Sequence, residues 1–311
     1  MKRISLAIPA VISLILSNTL LADSLLITNA QLFVGDDRKA LARDILIVDG
    51  LVDAVAEDLS VAEADTVLDA SGRTVTPTLF AGITAAGLSE IGMVYEAVDS
   101  RLSDLYTGLM HPEFDVRKAY NPHSTVIPVT RIEGFGYTLL MAAPGDRTIS
   151  GQGSLVRFDD GFDSFEGKTV VYVNVDGSSG NRLGGSRAAH WMLLESAFQE
   201  LGSDDEDLTL ISAAGKQALR ATARNGIFVF RANRASDILQ ALAFSEAHKL
   251  TAVISGGQEA WMVRDALADA GVPVVLNALD NLPGSFDGLG ARLDNAALLH
   301  EAGVTVLFTS G

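Results

Sequence analysis

Acidic side chains follow several of the apolar, strand-like runs in this sequence. Glu90, Asp176 and Asp280 each come shortly after such a run. Carboxylates that converge from neighbouring strands serve as general acid and base, or bind a hard cation. The alternative is that they are ordinary loop acids, because the 311-residue chain has 39 acidic and 23 basic side chains and a net charge of −16.

Other strand-like runs end in polar or cationic side chains. Asn174, Ser255 and Asn277 stand at such ends and would line a polar pocket if the strands are neighbours. Arg231 stands near another end, where a permanent cation could hold a carboxylate or another anion, or could pair with a nearby acid at the rim. The candidate pocket residues are therefore Glu90, Asn174, Arg231, Ser255, Asn277 and Asp280.

Composition excludes several chemistries. The chain has no cysteine, which excludes disulfides, zinc–thiolate sites and thiol nucleophiles. No G-x-S-x-G motif is present to support a serine nucleophile, and the negative net charge excludes a general nucleic-acid binder.

No two histidines stand at i, i+2 or i, i+4 spacing, so we expect each to be a surface or interface residue. The five are His111, His123, His190, His248 and His300.

From residue 77 onward, apolar runs alternate with stretches of helical length. Strands without polar alternation, separated by helices, are typical of a parallel sheet covered by helices. Eight such strands predict an α/β fold, a (β/α)8 TIM-type barrel over residues 77–311, with its chemistry at the carboxyl ends of the strands. The strand candidates are Leu79–Thr84, Tyr137–Ala142, Gly153–Arg157, Thr169–Asn174, Ile227–Arg231, Ala252–Ser255, Val274–Asn277 and Val304–Thr309.

The N-terminal part has a different organisation. Lys2 and Arg3 precede an apolar run that ends near Leu16, and a small residue, Ala22, follows; this pattern predicts that residues 1–22 are a secretory signal peptide. We expect the mature protein to be exported to a bacterial periplasm and to have no membrane association after cleavage. Residues 23–76 contain short strands separated by turns and predict a small antiparallel β unit.

Several segments resemble one family. Residues 70–77, ASGRTVTP, followed by residues 79–87, LFAGITAAG, are similar to the start of the barrel in the amidohydrolase superfamily, particularly its exported, imidazolonepropionase-like branch. Residues 230–234, FRANR, and 255–261, SGGQEAW, resemble two later motifs of the same family. The order and spacing of these segments extend the resemblance over the whole mature chain.

The resemblance implies a barrel with part of a composite β-sandwich at residues 23–76. It also implies a hydrolase of non-peptide C–N bonds in small cyclic amides or related substrates, using zinc or another divalent metal. The positions that would supply metal ligands hold Ile83, Ala85, Arg231 and Gly256. The sequence therefore supports no metal cofactor and assigns no catalytic residue.

The sequence ends at Ser310-Gly311, where the family continues with an aspartate and a last helix. We therefore expect an incomplete barrel without its closing helix, and exposed edges that favour a homo-oligomer. Two functions stay open, both with a small-molecule substrate or ligand: an amidohydrolase-like hydrolase, or a catalytically inactive, exported small-molecule-binding barrel. A fragment without a function of its own is the third interpretation.

Overall fold

The structure is a computed structural model that describes residues 24–35, 39–60, 64–92, 94–102, 110–143, 145, 147–177, 186–202 and 210–309. The chain divides after Pro77 into two units, which are described separately. The predicted signal peptide, residues 1–22, lies outside the described residues. Within the described part of the chain, no helix combines the length and the apolar composition needed to cross a membrane.

The N-terminal unit is a five-stranded sheet. Its first three strands are antiparallel, and the turn Asp49-Gly50 joins the second to the third with left-handed backbone at both residues (φ 51° and 77°), as in type I′ hairpins. The last two strands run parallel to the first, so the prediction of an antiparallel unit is wrong for them. The strands are β1 (Ser24–Leu32), β2 (Leu41–Val48), β3 (Leu51–Ala56), β4 (Thr66–Asp69) and β5 (Thr74–Val75).

The second unit contains the predicted eight-stranded α/β barrel, which is nearly closed. Its strands follow one another around the sheet in chain order. They are β6 (Leu79–Thr84), β7 (Phe135–Leu140), β8 (Ile149–Arg157), β9 (Phe165–Asn174), β10 (Ile227–Ala232), β11 (Ala252–Gly256), β12 (Val274–Asn277) and β13 (Val306–Thr309). The α-helices are α1 (Val126–Ile132), α2 (Arg187–Leu201), α3 (Ala213–Asn225), α4 (Ala235–His248), α5 (Arg264–Asp269) and α6 (Asn295–Glu301).

The barrel departs from a regular (β/α)8 pattern at β8. This strand is antiparallel to both of its neighbours, β7 and β9, whereas the other neighbouring strands are parallel. The connections 141–148 and 158–164 explain the difference, because a parallel crossover needs a connection of roughly a dozen residues or more. The prediction of an all-parallel barrel is therefore wrong at its third strand.

The helices cover the outer face of the sheet. Phe228 and Phe230 on β10 alternate with Val229, so that both phenylalanines pack outward against the helices while Val229 faces the barrel interior. Leu194 on α2 and Leu219 on α3 are fully buried in the same outer cluster. Burial of these apolar side chains is the main force that attaches the helices to the barrel wall.

The first and last strands of the nearly closed barrel approach each other at a seam between Ile83 and Thr309. Thr309 on β13 accepts a hydrogen bond from the Ile83 backbone N–H (3.0 Å) and donates one to the Ile83 carbonyl (3.3 Å) through its hydroxyl. The preceding residue, Gly82, has a φ of +84°, and a Cβ at that position would overlap Thr309. Glycine is therefore required at position 82 both by its backbone conformation and by the close approach of Thr309.

We predict that Gly82→Ala lowers the free energy of unfolding by roughly 3 kcal/mol, since strain at positive φ adds to the overlap with Thr309. Gly134 is a matched control, with a φ of +90° and nothing within 4 Å of a Cβ. Gly134→Ala should cost only about 1 kcal/mol, from the backbone alone. Urea denaturation measures both, and equal losses in the two variants would contradict the described seam.

Candidate functional site

Three of the candidate residues stand in one row at the carboxyl ends of neighbouring strands. The ladder pairs Arg231 on β10 with Asn174 on β9 and with Ser255 on β11. Asn277 ends β12, one strand further along the sheet. The carboxyl ends of parallel barrel strands form the mouth at which ligands bind. The structure therefore places these four residues at the carboxyl ends of neighbouring strands, and of the four only Arg231 lines the polar cavity described below.

Arg231 and Asp176 form an ion pair at the centre of this row. The Arg231 Nε lies 2.7 Å from the Asp176 Oδ2, and the side chains are 36% and 3% exposed, respectively. A carboxylate this deeply buried needs a compensating charge, because desolvation alone would make it very costly. The sequence left two roles open for Arg231, binding an anion or pairing with a nearby acid. The structure shows the pairing with an acid directly. The half-buried guanidinium of Arg231 also lines a cavity.

Tyr172 lies beneath this ion pair and was not identified from the sequence. Burial raises the pKa of its hydroxyl to about 12, with Asp176 acting in the same direction and Arg231 and Ser255 opposing it. Burial alone would lower the pKa of the Arg231 guanidinium, but Tyr172 and Asp176 outweigh it, so that pKa is raised. At neutral pH the site thus combines a permanent cation with a neutral phenol. The sequence did contain a signal for Tyr172. It is two residues before Asn174 on the same strand, and residues at this spacing face the same side of a sheet.

Asn174 supports the ion pair and does not face the cavity. It is fully buried, and its Nδ2 donates to the Gly145 carbonyl (3.1 Å). Its Oδ1 accepts from the Asp176 backbone N–H (3.3 Å). These bonds hold the turn that places the Asp176 carboxylate next to Arg231. The predicted role of Asn174 as a pocket residue is therefore corrected to a positioning role.

A second set of charges forms the rim of the mouth, and the sequence did not reveal it. Arg187 hydrogen-bonds Asp287 and also lies 3.1 Å, Nε to Oδ2, from Asp237. Arg234 donates to the Phe286 carbonyl through Nε and a terminal nitrogen (3.2 and 3.0 Å). These contacts attach the segment around Asp287 to the ends of β9 and β10.

The ion pair and the rim enclose a polar cavity of about 730 Å³. Three arginines and three aspartates of the described part of the chain line it, so positive and negative charges balance; they are Arg187, Arg231, Arg234, Asp176, Asp280 and Asp287. Two further lining residues contain buried amide oxygens that, among the described residues, have no hydrogen-bond partner. These oxygens are Asn233 Oδ1 and Gln258 Oε1.

The three carboxylates predicted after strand ends do not form a catalytic pair. Glu90 accepts from the Thr125 backbone N–H (3.1 Å) and hydroxyl (2.9 Å), and these hydrogen bonds lower its pKa. Asp280 accepts from the Asn277 Nδ2 (3.1 Å) and lines the polar cavity. Asp176 pairs with Arg231. Each carboxylate thus has a different partner and none is paired with another.

Comparison with known proteins identifies the fold. No protein-family model matches the chain, and no curated protein matches it in sequence. An amidohydrolase from Thermotoga maritima MSB8 matches in structure with a TM-score of 0.81 and 19% identity, covering 92% of this chain and 78% of that one. This chain has the amidohydrolase fold.

Two more distant structures match with lower scores. N-isopropylammelide isopropylaminohydrolase from Burkholderia multivorans has a TM-score of 0.45 and 15% identity over 93% of this chain and 74% of that one. L-hydantoinase from Arthrobacter aurescens has a TM-score of 0.43 and 10% identity over 92% and 68%. The assignment of the amidohydrolase fold therefore depends on the Thermotoga structure.

The residues at the implied metal positions of this amidohydrolase fold do not fit a divalent cation. Ile83 and Ala85 offer no donor atom, and the Arg231 guanidinium repels a cation. At Gly256, with a φ of +96°, a Cβ would lie 2.5 Å from the Asn233 Oδ1, so a larger ligating residue could not be accommodated without moving Asn233. Within the described part of the chain, no group of three or more histidine, aspartate or glutamate side chains could hold a metal ion.

Two histidines are buried, contrary to the sequence-based expectation. His190 on α2 is fully buried, with its Nδ1 3.0 Å from the Thr148 hydroxyl, and this burial lowers its pKa. His111 is also buried, and its Nδ1 lies 3.4 Å from the Glu113 Oε1. The sequence contained a signal for the burial of His190. It is four residues before the buried Leu194, and residues at this spacing lie on the same face of a helix.

We predict that Arg231→Met lowers the free energy of unfolding by about 2–4 kcal/mol, because it leaves the Asp176 carboxylate buried without compensation. The double variant Arg231→Met/Asp176→Leu should recover most of this loss, since no uncompensated charge remains. Arg224→Met, on the exposed surface of α3, is the matched control and should change stability by less than about 0.5 kcal/mol. A double variant less stable than Arg231→Met would contradict this account of the ion pair.

Proposed function

We propose that this chain is an amidohydrolase-like protein whose barrel mouth binds a small molecule with a carboxylate group, without a divalent metal. The observation that supports this most strongly is the Arg231–Asp176 ion pair, whose guanidinium remains partly exposed to the polar cavity. A guanidinium has five N–H donors, so Arg231 can retain Asp176 and still donate to a ligand carboxylate.

The size and polarity of the cavity support a small ligand that is polar beyond its carboxylate. About 730 Å³ falls within the range of roughly 300–1,000 Å³ that small-molecule sites occupy. Asn233 and Gln258 also line the cavity, and their amide groups suit a ligand that has an amide of its own. Because rim arginines and aspartates balance in charge, a monoanion suits the site better than a multiply charged phosphate.

Hydrolysis is the second candidate function. The fold shared with the Thermotoga maritima amidohydrolase favours it. As a hydrolase, the protein would cleave a non-peptide C–N bond of a small cyclic amide or related substrate. Arg231 would then stabilise negative charge that develops on the carbonyl oxygen, in the manner of an oxyanion hole. A general base would still be needed, and each acid at the mouth is already engaged.

Calorimetry with three probes tests the binding proposal: acetate, N-acetylglycine and the uncharged N-acetylglycinamide. N-acetylglycine should bind most tightly, because it alone has both a carboxylate and an amide. Arg231→Ala should weaken its binding at least tenfold, Arg231→Lys should weaken it less, and Arg224→Ala should leave it within twofold of wild type. Circular dichroism checks that each variant is folded.

The carboxylate site would be refuted if the wild-type protein bound none of the three probes, or if wild type and Arg231→Ala bound them equally.

The second candidate, hydrolysis, is tested by measuring product formation from five- and six-membered cyclic amides. Elemental analysis of the same sample shows which metals are present. Turnover that survives chelation and is lost in Arg231→Ala would establish metal-independent hydrolysis. Turnover that requires added metal would refute the metal-free binding proposal and would support hydrolysis with a metal.

We further propose that the protein is exported to the periplasm and has no nucleic-acid or membrane partner. The pattern of residues 1–22 supports export, and the net charge of −16 disfavours binding to nucleic acid. Self-association as a homo-oligomer remains part of the proposal. N-terminal sequencing of the secreted protein should begin at Asp23; a sequence that begins at Met1 would refute cleavage.

A further inference from the structure

A second cavity, of about 640 Å³, lies along β6 and β7 and shares no lining residue with the polar cavity. Its wall is formed mainly by the apolar side chains of Ile83, Ala85, Met141, Ala142 and Phe158 and by the ring of Tyr172. Ile83 and Ala85 occupy positions at which the family resemblance implies histidine ligands. These two residues form part of the apolar wall of the cavity.

The polar groups of this cavity are already engaged within the protein. The Thr84 hydroxyl lies 2.9 Å from that of Thr138, and the Thr130 hydroxyl donates to the Val126 carbonyl (2.8 Å). Among the described lining residues, Glu133 is the one carboxylate, and it is exposed. The cavity thus offers a ligand large apolar contact area and no cationic partner.

We infer that this cavity is a binding site for an uncharged, mostly apolar small molecule. An apolar molecule that covers this apolar wall removes both surfaces from water, which favours binding. An anion is disfavoured, because neither arginine nor lysine contributes to the lining and Glu133 would repel it. This inference is independent of the proposed function, since the two cavities differ in residues and in the chemistry of their ligands.

Indole is a suitable probe, because it is uncharged, soluble and largely apolar. In wild-type protein with labelled isoleucine methyl groups, NMR titration with indole should shift the Ile83 methyl resonance in a saturable manner. The Ile254 methyl group, fully buried in the outer core cluster, is the internal control and should not shift. This measurement needs no substitution, so it tests the site even where a variant fails to fold.

Two substitutions then test the position of the site. Ala85→Leu and Ala143→Leu each place extra carbon atoms into the cavity and should weaken indole binding at least tenfold. Ala278→Leu, at an exposed alanine outside this cavity, should bind indole within twofold of wild type. Arg234→Ala, in the lining of the polar cavity, should also remain within twofold, which separates this site from the carboxylate site.

Three results would overturn the inference. The first is the absence of any saturable shift at Ile83 up to the solubility limit of indole. The second is tight binding of indole by both folded leucine variants. The third is loss of indole binding in Arg234→Ala with retention in Ala85→Leu, which would assign the indole to the polar cavity instead.

Discussion

The barrel mouth is organised around one buried charge. Asp176 is almost completely buried, and Arg231 is the cation that compensates it. The surrounding polar groups follow from this requirement: Asn174 holds the backbone of Asp176, and Tyr172 lies below the pair as a neutral phenol. The family resemblance implies a metal ligand at position 231, and in this structure the side chain there forms the ion pair with Asp176.

The charge distribution divides the barrel into two environments. The side formed by β9, β10 and β11 contains arginines and aspartates that compensate one another, whereas the side formed by β6 and β7 is apolar. Tyr172 stands at the boundary, because its ring lines the apolar cavity while its hydroxyl approaches Arg231 and Ser255. One barrel thus provides a site that selects by charge and another that selects by apolar surface.

The sequence predicted the barrel, its strand order and the row Asn174, Arg231 and Ser255, because buried strands are apolar runs and their ends are marked by polar residues. It did not predict the contact between Arg187 and Asp287, which lie 100 residues apart. Pairing over such a separation depends on how loops fold back over the mouth, and single-sequence patterns have no information about this. The antiparallel direction of β8 was missed for a different reason, since an apolar run has the same pattern in either direction.

That direction also affects the order in which the barrel can assemble. β7, β8 and β9 form a meander with short connections, so their contacts are local in sequence and cost little loop-closure entropy. The seam between Ile83 and Thr309 joins residues 226 positions apart. Because local contacts form faster than distant ones, the meander is the natural starting point of folding and the seam is the last part to close. Among the described residues, β6 and β13 are joined by the Thr309 hydrogen bonds and not by a strand ladder, so another chain could pair with their edges and start aggregation.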